Sequence, residues 1–235
     1  KFHKEKCSVN RQKFWIYYMI NKIKQSRSEK ILLIFLIFLF IFSLGSFFII
    51  KNKCFLIKDH DPKKIKFVKP ENIAILKAPC GNVIIELYPN VSPNSVERFK
   101  MLIESKQYDN VAFHRVIKNV LVQSGDTEFG KKGNLNYAKI GYGKSKYGRI
   151  NTETDNKFEF VKGTVALART YKRDTEDTQF FILLKDAPLF EGEYSPIGKV
   201  IYGLDVLKKI KHDDKTEYIL RPDFIETFRM LKNIN

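Results

Sequence analysis

Residues Ile31 to Ile50 form one apolar run, Ile-Leu-Leu-Ile-Phe-Leu-Ile-Phe-Leu-Phe-Ile-Phe-Ser-Leu-Gly-Ser-Phe-Phe-Ile-Ile, bracketed by Lys30 and Lys51. A run this long without a charge has no place on the surface of a water-soluble fold. As a helix rising about 1.5 Å per residue it would be about 30 Å long, the thickness of a bilayer's hydrocarbon. A signal-peptide core is shorter, about 7 to 15 residues, and ends in small residues at a cleavage site, which this run lacks. The run therefore predicts a single transmembrane anchor and a single-pass membrane protein. Lys and Arg crowd both flanks, from Arg11 to Lys30 and from Lys51 to Lys69, so charge asymmetry does not orient it and the side of the membrane stays open.

The anchor divides the chain into a basic N-terminal segment (1–30), the apolar helix (31–50), a charged linker (51–70) and a folded domain (71–235). Pro62 and Pro70 and the absence of an apolar period mark the linker. The net charge of +16 suggests a nucleic-acid binder, but its distribution excludes that class: residues 1–70 hold 16 Lys+Arg against 4 Asp+Glu, leaving 26 against 22 for the rest. The excess flanks the apolar run, where a membrane surface explains it better than phosphate contacts. Phe14-Trp15-Ile16-Tyr17-Tyr18 reads equally as a short interfacial helix or as part of an unfolded basic tail. The first residue is Lys, as in a chain that begins after a processing site or part-way into a gene product. Cys7, Cys54 and Cys80 are far apart, with no metal spacing and no disulfide framework, and Cys80 reads as an incidental free thiol at a turn.

Past residue 71 the pattern is that of strands. Asn72–Lys77 and Val83–Tyr88 flank Cys80-Gly81-Asn82 as a β-hairpin. Ser92-Pro93 opens a helix, with Ser at the N-cap and Val96, Phe99, Leu102 and Ile103 on one stripe. Between Asp126 and Lys144 lies a polar, Gly-rich stretch read as a surface loop, because no helix with a phosphate-loop Lys follows it. Thr164–Ala168, Gln179–Leu184 and Ser195–Ile201 are further strands, Leu204–Lys211 a second helix, and Tyr218–Leu220 and Phe224–Phe228 the last strands.

The stretch Phe113 to Asp126 carries polar residues that a strand does not need. Alternation places Phe113, Arg115 and Ile117 on one face, an unusual setting for a guanidinium. Taken alone, Arg115 reads as a side chain snorkelling at a barrel rim. Three more blocks change that reading: Gly163-Thr164-Val165-Ala166-Leu167-Ala168, Thr178-Gln179-Phe180-Phe181-Ile182, and Gly198-Lys199-Val200 with Gly203. Together with Phe-His-Arg-Val-Ile and Gln-x-Gly-Asp they resemble, in order, the signature of the cyclophilins, the peptidyl-prolyl cis-trans isomerases.

The resemblance implies a mainly β fold, a closed eight-stranded antiparallel barrel capped by two helices, with no cofactor and no metal. It implies catalysis by Arg115 and Gln123 on proline-containing polypeptides, and a substrate surface of His114, Val120, Leu121, Ala168, Arg169, Thr170, Phe181, Leu189, Phe190 and Tyr194. Several of these depart from the commonest family pattern: Val120-Leu121 stand for a Phe-Met pair, Ala168-Arg169-Thr170 for Ala-Asn-Ala, Leu189 for a Trp, Phe190 for a Leu, and Tyr194 for a His. The departures imply weakened activity and weak or no binding of cyclosporin, the family's drug ligand. They also keep a second reading open, a non-catalytic subunit of a membrane complex. Glu128–Tyr137 reads as an insertion relative to the family. From the apolar run, the full chain is expected to stay with membranes through carbonate and high-salt washes; release by either would leave only the basic flanks holding it there.

Overall fold

The computed structural model describes residues 26–51, 53–154 and 157–234; the aromatic cluster at 14–18 lies outside them. Two compact units divide at Asn52. The first contains helix α1 (Arg27–Lys51). Its start is a capping box: the Glu29 N–H donates to Ser26 Oγ (3.2 Å) and the Ser26 N–H donates back to Glu29 Oε2 (2.8 Å). From Arg27 to Ile49 the helix is exposed, apart from half-buried Ser46. Its apolar surface thus has no cover among the described residues, and by length and composition it suits a bilayer or a signal sequence.

The second unit is built on eight antiparallel strands: β1 (Ile73–Ala78), β2 (Gly81–Leu87), β3 (Arg115–Ile117), β4 (Leu121–Ser124), β5 (Thr164–Leu167), β6 (Phe180–Leu183), β7 (Pro196–Tyr202) and β8 (Thr227–Met230). They form one curled sheet in the order β3-β4-β6-β5-β7-β2-β1-β8. No ladder joins the outer strands β3 and β8 among the described residues. Of the two expected closing strands, Tyr218–Leu220 makes only an isolated bridge, Tyr218 to Arg115, while Phe224–Phe228 runs from a bridge of Phe224 to Ala112 into the start of β8, which pairs with β1. The expected second helix is a single turn, α3 (Leu204–Leu207), set by Gly203 in the left-handed region (φ 90°).

Helix α2 (Pro93–Glu104) buries Val96, Phe99, Leu102 and Ile103, the stripe that its sequence lays out. Phe99 meets Phe180 and Phe228 edge-on, with ring centroids 5.1 and 5.5 Å apart. Ser92, expected to cap this helix through its side chain, does not. Glu153 does so from 58 residues away, its carboxylate accepting from the backbone N–H groups of Asn94 (3.1 Å) and Ser95 (2.7 Å). A carboxylate at this end also meets the positive pole of the helix dipole.

Residues 53–70, expected to be a linker, are fastened to the domain. Cys54 and Cys80 form a disulfide, so neither the incidental-thiol reading nor the exclusion of disulfides holds. Sequence spacing hid it because the chain must fold back to bring the two together. Asp59 Oδ1 accepts from the Asn82 N–H (2.8 Å), and Lys53 pairs with Asp223 (2.6 Å). The disulfide closes a loop across a separation of 26 residues. By chain entropy such a closure is worth about 3 kcal/mol. Cys54→Ser is therefore expected to lower unfolding stability by about that much, read from denaturant midpoints under non-reducing conditions; an unchanged midpoint would mean that the other contacts alone hold the segment down.

Candidate active site

Strands β4, β5 and β6 are buried on both faces, and their register decides what each face carries. Arg115 pairs with Gln123, Gln123 with Phe181, and Phe181 with Ala166. Directly paired residues point to the same face, so these four side chains stand in a row across four strands. The adjacent row, Val116, Val122, Ile182 and Val165, faces the main core on the other side. The outward row joins a second apolar cluster of Leu121, Phe160, Ala166, Phe181 and Leu183, flanked by Val120, Ala168, Phe190 and Tyr194. Phe181 is 3% exposed and meets Phe190 and Tyr194 edge-on, at 5.6 and 5.1 Å. The result is an apolar floor with a guanidinium at its border.

That guanidinium is held from two sides. Arg115 Nε and Nη2 lie 2.8 and 2.7 Å from Glu217 Oε2, and Nη1 donates to Gln123 Oε1 at 3.2 Å. Gln123 Nε2 donates to Gln179 Oε1 (3.1 Å), whose Nε2 donates to the Gly141 carbonyl (3.0 Å). The chain of bonds fixes Arg115 while leaving its side chain 29% exposed. Glu217 escaped the reading of the sequence because it is 102 residues from Arg115. The local signal is the bridge of Tyr218 to Arg115, which lays residues 217–219 beside β3, with the Val116 N–H donating to the Glu217 carbonyl (2.8 Å).

The Gly-rich loop is organised by Asp126, which is fully buried. Its Oδ1 accepts from the N–H groups of Glu128 (3.2 Å) and Phe129 (2.8 Å), and its Oδ2 from those of Gly141 (2.7 Å) and Gly143 (3.1 Å). A side chain at residue 143 would collide with this carboxylate, so glycine is required there. The loop thereby forms one wall of a cavity of about 670 Å³ that also touches Arg115, Gln123, Ala168, Arg169, Thr170, Gln179 and Tyr218. A shallower groove of about 620 Å³ along α2 shares none of these residues.

The remaining predicted positions divide. Arg169 lines the cavity but folds back, pairing with Glu193 (2.7 Å) with its guanidinium 5.0 Å from the Tyr194 ring centroid. Thr170 is exposed at the cavity rim. Leu189 is 89% exposed and packs against neither the floor nor the core. His114 is 1% exposed and is not on the cavity wall. Phe113 lies in the main core, so the expected sharing of a face with Arg115 fails where the chain enters β3.

Burial pushes the His114 imidazole down to about 4, against the pull of the Asp126 carboxylate. The unfolded chain protonates this ring near its ordinary value of about 6.5, so between pH 6.5 and 4 it binds the extra proton. Stability is full above that window and falls with pH through it, by up to about 3 kcal/mol. A His114→Gln variant is expected to flatten this stretch of the stability–pH curve, read from urea midpoints; an unchanged slope would show that other groups govern it.

Comparisons with known proteins give the family to which this domain belongs. Residues 73–230 match the family model described as cyclophilin type peptidyl-prolyl cis-trans isomerase/CLD. A probable peptidyl-prolyl cis-trans isomerase of Brucella suis is 41% identical over 150 residues, covering 63% of this chain and 76% of that protein. The peptidyl-prolyl cis-trans isomerase of Acinetobacter baylyi is 34% identical over 148 residues, 61% and 73% of the two chains. A Cryptosporidium parvum cyclophilin type isomerase, crystallised in the presence of the dipeptide Ala-Pro, superposes with a TM-score of 0.58 at 26% identity, covering 67% of this chain and 98% of that one. The cyclophilin AquaCyp293 of Hirschia baltica, at a TM-score of 0.60 and 20% identity over 76% and 83% of the chains, shares the fold. A domain with this strand arrangement, this match over most of its length and these relatives belongs to the cyclophilin-type peptidyl-prolyl cis-trans isomerases.

Proposed function

We propose that the apolar floor of Phe181 bordered by Arg115, next to the cavity, is where this isomerase turns X-Pro bonds, with Arg115 as the catalytic donor, Gln123 and Glu217 holding it, and Phe181 under the proline ring. The observation that carries this reading is the fixed guanidinium at the border of the apolar floor. Rotation about an X-Pro amide gives up resonance against a barrier of about 18 to 20 kcal/mol. Twisting frees the nitrogen lone pair, and a charged donor already in place stabilises that form without reorganising. Glu217 and Gln123 occupy the Nε edge and one N–H of Nη1, leaving other guanidinium hydrogens for the substrate. Val120, Leu121, Ala168, Phe190 and Tyr194 complete the apolar surroundings. His114, buried, acts through the packing beneath the site, and Leu189 is available at the surface.

The membrane role of α1 is part of the same proposal: the anchor holds the isomerase where polypeptides lie close to a bilayer. The Cys54–Cys80 disulfide supports an oxidising compartment for the domain, since a reducing cytosol keeps such thiols apart.

A hydrogen bond to a charged donor is worth about 1.5 to 3 kcal/mol, so Arg115→Ala is expected to slow isomerisation roughly ten- to a hundredfold with little change in substrate affinity. Arg115→Lys should not restore it, because a compact ammonium on a flexible stem cannot reproduce the rigid planar fork that Glu217 and Gln123 hold in place. Cis–trans exchange of an Ala-Pro peptide by NMR, with full chains in nonionic detergent, measures both. Equal rates in wild type and Arg115→Ala would remove Arg115 from the mechanism, and no exchange above background in either would favour a binding subunit.

A further inference from the structure

Residues 53–70 precede the stretch that matches the family, which begins at residue 73, so the family fold does not account for them. They hold six lysines against two aspartates, and both aspartates are already engaged. Asp59 accepts from the Asn82 N–H, and Asp61 caps the turn at Pro62–Lys64 by accepting from the Lys63 N–H (3.0 Å). Among the described residues only two of the six lysines lie within salt-bridge distance of a carboxylate: Lys53 pairs with Asp223, and Lys64 lies 3.7 Å from Asp61. Lys58, Lys63, Lys66 and Lys69 are exposed and have no such partner there. Packing turns the charges outward. Ile65 and Phe67 lie against Ile73, Ile75 and Ile84, on the face of β1 and β2 away from the main core, and the residues that alternate with them, Lys64, Lys66 and Val68, face solvent. Two aliphatic side chains of the same segment are also left in water, Leu56 at 78% and Val68 at 96% exposure.

A solvated tail would spread such charges through space. Here the Cys54–Cys80 disulfide, the bond from Asn82 to Asp59 and the packing of Ile65 and Phe67 hold them on the domain. Lysines interleaved with exposed aliphatic side chains suit a phospholipid surface, where anionic headgroups take the ammoniums and the acyl boundary takes the aliphatic groups. An acidic polypeptide would answer the lysines and leave Leu56 and Val68 in water. Chain continuity favours lipid as well, because Asn52 alone separates Lys51, the last residue of α1, from Lys53. We propose that residues 56–69 are a docking surface for an anionic phospholipid bilayer, with Lys58, Lys63, Lys64 and Lys66 on the headgroups. The continuity argument rests on the reading of α1 as an anchor; the charge and the exposure stand without it. The surface gives the domain a second hold on the bilayer, independent of the chemistry at Arg115.

The test uses the full chain in nanodiscs of phosphatidylcholine, alone or mixed with phosphatidylserine. Mass spectrometry reads how fast a water-soluble acylating reagent labels each lysine, with Lys172, exposed in the loop after β5, as the reference. In the mixed discs, labelling of Lys58, Lys63, Lys64 and Lys66 relative to Lys172 is expected to slow about three- to tenfold, and added salt is expected to restore it. The triple variant Lys63→Gln, Lys64→Gln, Lys66→Gln is expected to lose the slowing at Lys58. Relative rates that are equal in the two lipids, whether every lysine slows or none does, would overturn the docking surface. Slowing at Lys58 that survives the triple variant would overturn the assignment to these lysines. Slowing by soluble polyglutamate and not by lipid would make this a surface for acidic polypeptides and overturn the proposal. A chain that co-purifies with neither disc would overturn the anchor reading, and the same labelling with vesicles of the two compositions would then decide the docking surface by itself.

Discussion

Everything at the site depends on strands that are buried on both faces. Val122 and Ile182 anchor one side of β4 and β6 in the main core, while Leu121, Phe181 and Leu183 fill the smaller cluster on the other. A slip of one residue would exchange these two sets, putting Gln123 into the core and Val122 outward in β4, or Phe181 into the core and Ile182 outward in β6. The large core cluster therefore fixes the register, and the register fixes the row from Arg115 to Ala166. The geometry of the row is in this sense a by-product of packing: no residue of it has to find its neighbours on its own.

Buried and half-buried carboxylates do for the loops what register does for the strands. Asp126 gathers four backbone N–H groups from two stretches of chain, and Glu153 closes the start of α2. Asp177 binds both the backbone and the hydroxyl of Ser145, while Arg98 reaches the carbonyls of Tyr147 and Gly148. Irregular backbone near a core has to place its polar groups somewhere, and charged acceptors of this kind are the stronger choice. They let a long, glycine-rich segment stand as a cavity wall with little regular structure of its own.

What could be read from the sequence follows the range of each signal. The β1–β2 hairpin, α2 and the strands around Arg115, Gln123 and Phe181 are written in local alternation and helical stripes, and the order of motifs carried the family. Contacts between distant segments left no such trace. Cys54 and Cys80 look unrelated until the chain between them turns back, Glu153 replaces Ser92 as the cap of α2, and Glu217 reaches Arg115 across about half of the folded domain. Alternation also misled at one place: Phe113 precedes β3, so it turns into the core instead of sharing the face of Arg115. A matching position is not a matching environment either, as exposed Leu189 and buried His114 show.

The pairing of Arg115 with Glu217 has an electrical meaning beyond holding a side chain still. A guanidinium and a carboxylate 2.7 Å apart form a dipole whose field fades quickly with distance, so an approaching chain senses little of the Arg115 cation until it is in contact. Attraction over longer distances is left to charges that have no such partner. Changes in surface charge around the cavity can therefore retune which chains arrive without disturbing the paired guanidinium.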